Sequence, residues 1–233
     1  MKIPKKLIFV RHPESEGNVL SADGRANHAL ANHRYPLTPR GKLQAASVSR
    51  YIKTHYNPGS IKRFYQSNYL RSQELVSQLL FVLEWCPDLV TTDSRLDEKW
   101  DGIFYDLQRQ EIEIRYPDQI RIRERTGYYQ YRAPGGQNCP DVEMQIRSLM
   151  DDCYEECRDE TILFSGHGRW FLLFLKLLHH HPISWLEEMR KRDDVCPNAS
   201  ITIIERMDDG RIVEHPCVVP WRGQLGEEKT EFA

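Results

Sequence analysis

Two histidines stand directly behind short apolar runs. In "KLIFVRHPESEGN", residues 7–10 lead into Arg11 and His12, and in "TILFSGHG", residues 161–165 lead to His167 and Gly168. An apolar run of this length bounded by charge reads as a strand buried on both faces. In an open α/β sheet, ligands bind beyond the carboxyl ends of the strands. If the two runs are parallel neighbours, both imidazoles reach the same edge. A third group joins them: "YQSNYLRS" places Arg71 in the first turn of a helix that follows another strand. Helix N-termini offer free N–H groups and a positive dipole end, and a pair of planar guanidinium forks suits phosphate oxygens better than lysine does. The chemistry indicated is recognition of an oxyanion at a sheet edge.

The elements that must position these residues are legible in outline. Thr38 and Pro39 mark a helix start, as N-cap and first helical residue, with Ala45, Val48 and Ile52 following at helical spacing. "NPGS" at 57–60 breaks the chain. "KRFYQS" reads as a second strand ending near Ser67, and the helix after it carries Leu75, Val76, Leu79 and Leu83 on one side. "LVTTDS" offers a third strand. "APGGQNCP" at 133–140 reads as a loop, and Asp141 is expected to cap a helix bearing Val142, Ile146, Leu149, Met150, Cys153 and Cys157 on one stripe. Gly166 is expected to break the strand "TILFS", with an apolar helix over 169–178. "ASITIIERM" and "RIVEHPCVV" flank "DDG" as a closing hairpin or two late strands. Strands alternating with helices predict an α/β fold: a parallel or mixed sheet covered on both sides. "GEEKTEFA" reads as a frayed tail.

The chain has 233 residues, a formal net charge of −2 and 40% hydrophobic residues. That suits a single domain over 1–233 that buries its own core. The near-neutral balance gives no electrostatic reason to expect nucleic acid or a membrane surface as partner. None of the six cysteines forms a CxxC pair, and no cluster has metal-ligand spacing, so no metal and no cofactor is expected. "HHH" at 179–181 does not change this, because adjacent helical residues point in different directions. The apolar run after Lys6 is too short for a secretory signal, and Lys176 interrupts the most apolar segment. The expectation is a reduced, cytoplasmic protein.

"LIFVRHPESEGN", "PLTPRGKLQA", "SNYLRS", "LDEKWDG", "FSGHG" and "NASITIIE" occur in an order that resembles the histidine phosphatase superfamily, also called phosphoglycerate-mutase-like, from Leu7 to about Met207. The "PGGES"-like loop resembles that of its small phosphatase branch. The resemblance implies a three-layer α/β/α fold with a mixed, mostly parallel sheet and a cap-like insertion at about 100–139. It implies His12 as the nucleophile that becomes phosphohistidine, Glu98 as the acid that protonates the leaving oxygen, and Arg11, Arg71, His167 and Asn18 around the phosphoryl group. Ser15, Gly17 and Gly168 fall beside them as substrate-binding positions. A neutral imidazole nucleophile needs an acceptor for its other nitrogen. Two arginines and a protonated His167 would supply the positive charge without a metal. Glu98 must be protonated to act, which predicts a mildly acidic optimum. The implied activity is a phosphomonoesterase acting on a small phosphorylated metabolite. A phosphoglycerate-type mutase is the alternative, although the mutases' longer insertion pattern is not found after Gly102. A non-catalytic phosphate-binding protein is a third reading.

The pattern departs in two places. Pro13 stands where glycine is usual and removes a backbone N–H from the loop. Gln137 and Asn138 replace a Glu and a Ser in the "PGGES"-like loop, where an amide is expected to orient its surroundings less strongly than a carboxylate, unless the loop is only a surface turn. The insertion also holds Trp100, Tyr105, Arg115, Arg121, Arg123, Arg125 and Arg132. Arginines facing inward there would favour a substrate with a second anionic group. His28 and His33 read as loop residues that could reach the pocket mouth.

Overall fold

The apolar residues before His12 point alternately to the two faces of a sheet. In β1 (Lys6–Arg11), Leu7 and Phe9 enter one core with Ile162, Phe164 and Ile204, while Ile8 and Val10 enter the other with Phe64, Leu163 and Ile201. Burial on both faces is why the run is continuously apolar. The computed structural model describes residues 1–20, 30–105, 107, 109–192 and 195–222, so His28 and the expected tail lie outside it.

β1 belongs to a six-stranded sheet with β2 (Ile61–Gln66), β3 (Val90–Thr92), β4 (Thr161–Gly166), β5 (Ile201–Arg206) and β6 (Ile212–Glu214), in the order β3-β2-β4-β1-β5-β6. β3, β2, β4 and β1 run parallel; β5 is antiparallel to β1, and β6 to β5. The sheet is therefore mixed and mostly parallel, as expected. In β2 a register shift between Ile61 and Arg63 lets Ile61 and Phe64, an odd number of residues apart, enter the same core.

In chain order the helices are α1 (Glu16–Val19), α2 (Pro39–His55), α3 (Leu70–Leu83), α4 (Arg109–Arg115), α5 (Pro117–Gln130), α6 (Cys139–Cys157), α7 (Gly168–Leu178) and α8 (Ile183–Met189). α2 and α3 cover one face of the sheet; α6 and α7 cover the other. Thr38 caps α2 as expected, its Oγ1 accepting from Gly41 N at 2.9 Å.

Two local expectations need correction, and the insertion, for which the sequence reading named no elements, holds two helices. α6 is capped by Asn138, not Asp141; Asp141 completes a capping box, its carboxylate accepting from Asn138 N at 2.9 Å. β4 does not break at Gly166 but runs through it. A Cβ there would lie 3.1 Å from the Phe9 ring, so the glycine serves close packing beside β1. In the insertion, α4 and α5 form where no helical period was visible, because their residues are mostly exposed and no apolar stripe is required. Gly127, at φ +74°, kinks α5.

Candidate active site

The parallel pairing of β1 with β4 sets Arg11 opposite Gly166. His12 and His167 therefore leave the sheet side by side, with ring centroids 5.2 Å apart. His12 Nδ1 lies 2.7 Å from the Pro13 carbonyl oxygen. A carbonyl only accepts, so Nδ1 carries the proton and Nε2 keeps its lone pair. Arg71 Nε–H donates to that Nε2 at 3.3 Å. Burial, then the Arg71 and Arg11 charges, hold His12 well below the ordinary 6.5, so the ring is neutral. The acceptor demanded by the sequence is thus the Pro13 carbonyl. The proline removes one N–H from the loop, yet its ring fixes φ of the residue whose oxygen orients His12. Asn198 Nδ2 donates to the His12 carbonyl at 3.0 Å from the far side.

Arg11 Nη1 donates to the Cys196 carbonyl at 2.6 Å, and Gly168 leaves room for its guanidinium: a Cβ there would lie 3.4 Å from Arg11 Cζ. Arg71 Nη1 donates to the backbone oxygen of Asn32 at 2.8 Å and to its Oδ1 at 3.0 Å, while the guanidinium lies 4.5 Å from the centre of the Tyr69 ring. The expectation of a protonated His167 fails. Burial, then Arg71 and His12, push its pKa well below 6.5, so it is neutral. Its Nε2 meets Ser67 Oγ at 2.9 Å, and that oxygen also accepts from Tyr69 N at 3.3 Å; one arrangement has the hydroxyl donate to Nε2. The ring proton then sits on Nδ1, which is buried without a hydrogen-bond partner among the described residues. His167 can offer a phosphoryl oxygen a neutral donor rather than a cation.

Ser15, Gly17 and Asn18 shape the loop after His12. Ser15 N and Oγ both donate to Asn18 Oδ1 at 3.0 Å, and a Cβ on Gly17 would fall 2.6 Å from the Tyr35 ring. The loop is anchored to α2 through Glu14: Thr38 Oγ1 donates to Glu14 Oε1 at 2.6 Å, and Glu14 N donates to Gln44 Oε1 at 2.8 Å. Gly41 packs against the same loop so closely that a Cβ would lie 1.9 Å from the Glu14 carbonyl oxygen. Gly41→Ala is therefore expected to lower stability by about 3 kcal/mol and to cut turnover by displacing His12. Urea unfolding alongside steady-state kinetics checks both; wild-type values for both would show that the loop is free to move.

Glu98 is half-buried at the edge of a cavity of about 420 Å³, with Tyr69, Asp97, Trp100, Tyr105 and Gln137 among the lining residues. The loop at 133–140 clamps this acidic turn. Trp100 N donates to Gln137 Oε1 at 2.9 Å, and Gln137 N donates to the Trp100 carbonyl at 2.8 Å. Ile103 N donates to the Pro134 carbonyl at 3.1 Å, a contact allowed by Gly102 at φ +57°. The loop is thus more than a surface turn, and the Gln137 side chain holds the Trp100 backbone through one accepted hydrogen bond. Arg115, Arg121, Arg123, Arg125 and Arg132 of the insertion, by contrast, are exposed. Arg115 pairs with Glu111, Arg121 with Asp118 and Arg132 with Asp141, so they do not furnish an anion site in the cavity. His33 lines the cavity. His179 meets Glu214 at 2.9 Å, His181 stacks on Trp185, and no group of three metal-ligating side chains occurs among the described residues. No helix among those residues is long and apolar enough to cross a membrane.

Residues 7–217 match the family model described as histidine phosphatase superfamily, branch 1. The chain belongs to that superfamily. Among its curated relatives is the phosphoglycerate mutase-like protein AT74 of Arabidopsis thaliana, 29% identical over 168 residues, which cover 66% of this chain and 48% of that protein. The chain thus spans about half the length of the curated relatives it matches. Among solved structures, a putative alpha-ribazole-5'-P phosphatase from Escherichia coli aligns with a TM-score of 0.72 at 16% identity, covering 91% of this chain and 95% of that one. A mycobacterial glucosyl-3-phosphoglycerate phosphatase aligns with a TM-score of 0.69 at 16% identity, covering 90% and 96%. These likenesses establish the phosphoglycerate-mutase-like fold.

Within this superfamily fold, the site also uses residues that the sequence reading gave no role: Ser67, Asn32 and Asn198. Ser67 follows β2 and Asn198 precedes the antiparallel β5, so both fall on the same sheet edge as the histidines. Position at a strand end was the signal that could have found them.

Proposed function

We propose that the chain is a metal-independent phosphomonoesterase working through phosphohistidine at His12. The observation that carries this reading is the fixed imidazole: Nδ1–H is held by the Pro13 carbonyl while neutral Nε2 faces Arg71. Nε2 attacks phosphorus, the bond from phosphorus to the leaving oxygen breaks, and protonated Glu98 gives that oxygen a proton. Water then attacks the phosphohistidine, Glu98 takes up a proton from it, and phosphate departs with His12 neutral again. Arg11, Arg71 and the Nδ1–H of His167 receive the charge that spreads over the phosphoryl oxygens, a task for donors already fixed in place. The Nδ1–H bond to Pro13 stabilises the positive imidazole of the intermediate.

The test is phosphate release from p-nitrophenyl phosphate and from a panel of phosphorylated metabolites, with excess EDTA. Release that survives EDTA supports the hydrolase. Conversion of 3-phosphoglycerate to 2-phosphoglycerate without release would establish the mutase instead.

A pH dependence follows from the depressed histidines. Both bind protons more weakly folded than unfolded, so stability falls as pH drops below about 6.5, by up to about 1.4 kcal/mol per pH unit for each histidine. Activity behaves differently: because burial and the Arg71 and Arg11 charges hold His12 well below the ordinary value, kcat/KM should not fall as pH drops through about 6.5, where a free histidine would protonate. A rate that only climbs from about pH 5 to pH 9 would contradict the assignment of a carboxylic acid.

A further inference from the structure

We infer that the leaving group accepted by this site carries a ring and no second anion. The inference rests on the proposed phosphatase reading, which makes the cavity beside Glu98 the leaving-group side. That cavity, about 420 Å³, has room for a ring-sized alcohol.

Its walls are of two kinds. Trp100 and Tyr105 lie with ring centroids 3.9 Å apart, and Trp100 is 41% exposed, which gives an aromatic face open to a flat partner. Beside it stand the Asp97 carboxylate and Glu98, the acid of the proposed reaction. Asp97 Oδ1 accepts from Asn68 N at 2.7 Å and Oδ2 accepts from Asn68 Nδ2 at 3.0 Å. Those donors fix the carboxylate, and each oxygen keeps a lone pair for a hydroxyl or amine of the substrate.

No lysine or arginine lines the cavity among the described residues. Lys99 and Arg169, from the neighbouring turn and α7, are both bonded to Asp101. Arg115, Arg121, Arg123, Arg125 and Arg132 of the insertion are exposed, and Arg11 and Arg71 serve the phosphoryl end. His33 contributes an imidazole, not a permanent cation. A second phosphate or carboxylate would therefore sit against the Asp97 carboxylate, with no lysine or arginine among the described lining residues to offset the repulsion.

The test compares three alkyl phosphates of similar leaving-group basicity: ethyl phosphate, 2-phenylethyl phosphate and 2-(4-carboxyphenyl)ethyl phosphate. p-Nitrophenyl phosphate serves as the activated control. For wild type, kcat/KM should rise about tenfold from ethyl to phenylethyl through stacking, and fall again about tenfold on adding the carboxylate. Asp97→Asn should narrow the carboxylate penalty, and Trp100→Ala should erase the phenyl advantage. The wild-type ratios decide the matter even if a variant does not fold. Turnover of p-nitrophenyl phosphate with the opposite order, or no order, among the three refutes the inference and leaves the phosphatase standing. Failure to release phosphate from all four removes the phosphatase reading and the inference with it.

Discussion

His12→Ala is expected to reduce phosphate release by roughly 10⁴-fold or more, to the level of the remaining positioning groups. The prediction is large because no other nucleophile among the described residues is prepared in the same way. His12 is 4% exposed, its Nδ1 proton is committed to the Pro13 carbonyl, and its Nε2 faces Arg71. His167, 5.2 Å away between ring centroids, has its Nε2 tied to Ser67 and presents a proton rather than a lone pair. It cannot take over the attack. Single-turnover kinetics with p-nitrophenyl phosphate measure the loss, and the unfolding midpoint separates lost chemistry from lost structure. A folded variant with more than about a tenth of wild-type turnover would mean that water is activated directly and that His12 serves only to bind.

Arg71→Lys carries the second largest expected effect, a fall in kcat/KM of about 10²–10³-fold, although the charge is kept. The guanidinium does several things at once. Nη1 holds Asn32 through two oxygens, Nε points at the nucleophile, and the plane lies over Tyr69. A lysine ammonium is a point charge and cannot satisfy Asn32 and face the phosphoryl group together. Arg71→Ala adds a further signature. Arg71 is the second cause, after burial, of the low His12 pKa. Removing it should move the acid limb of kcat/KM upward toward the ordinary histidine value, whereas the lysine variant should leave that limb nearly in place. Equal activity of the lysine variant and wild type would show that only charge is needed.

The sheet edge was legible because its signals are local. Each of the two histidines follows a short apolar run, and each run had to be a strand; parallel pairing of those strands did the rest. The cap of α2 was equally plain, since Thr38-Pro39 is a strong local start. What escaped the sequence depends on long-range pairing. Asn198 reaches His12 across 186 residues of chain, and Ser67 reaches His167 across 100. The neutral state of His167 could not be read from "SGHG", because it depends on burial and on cations brought in by other elements. The clamp on the acidic turn was also out of reach of the sequence, because it is made by one side-chain and one backbone bond of Gln137 to the Trp100 backbone, 37 residues away. The arginines at 115–132 suggested an anion site by composition alone, but exposure and acidic partners, not composition, decide their direction.

The central claim is a covalent phosphoryl group on one nitrogen. The most direct measurement is rapid quenching of wild-type protein with p-nitrophenyl phosphate in excess EDTA, followed by intact-mass and peptide analysis under alkaline conditions. A phosphoryl adduct is expected on the peptide holding His12, stable in alkali, lost in acid and absent from His12→Ala. Steady phosphate release with no adduct at any quench time, or an adduct that persists in His12→Ala, would contradict it.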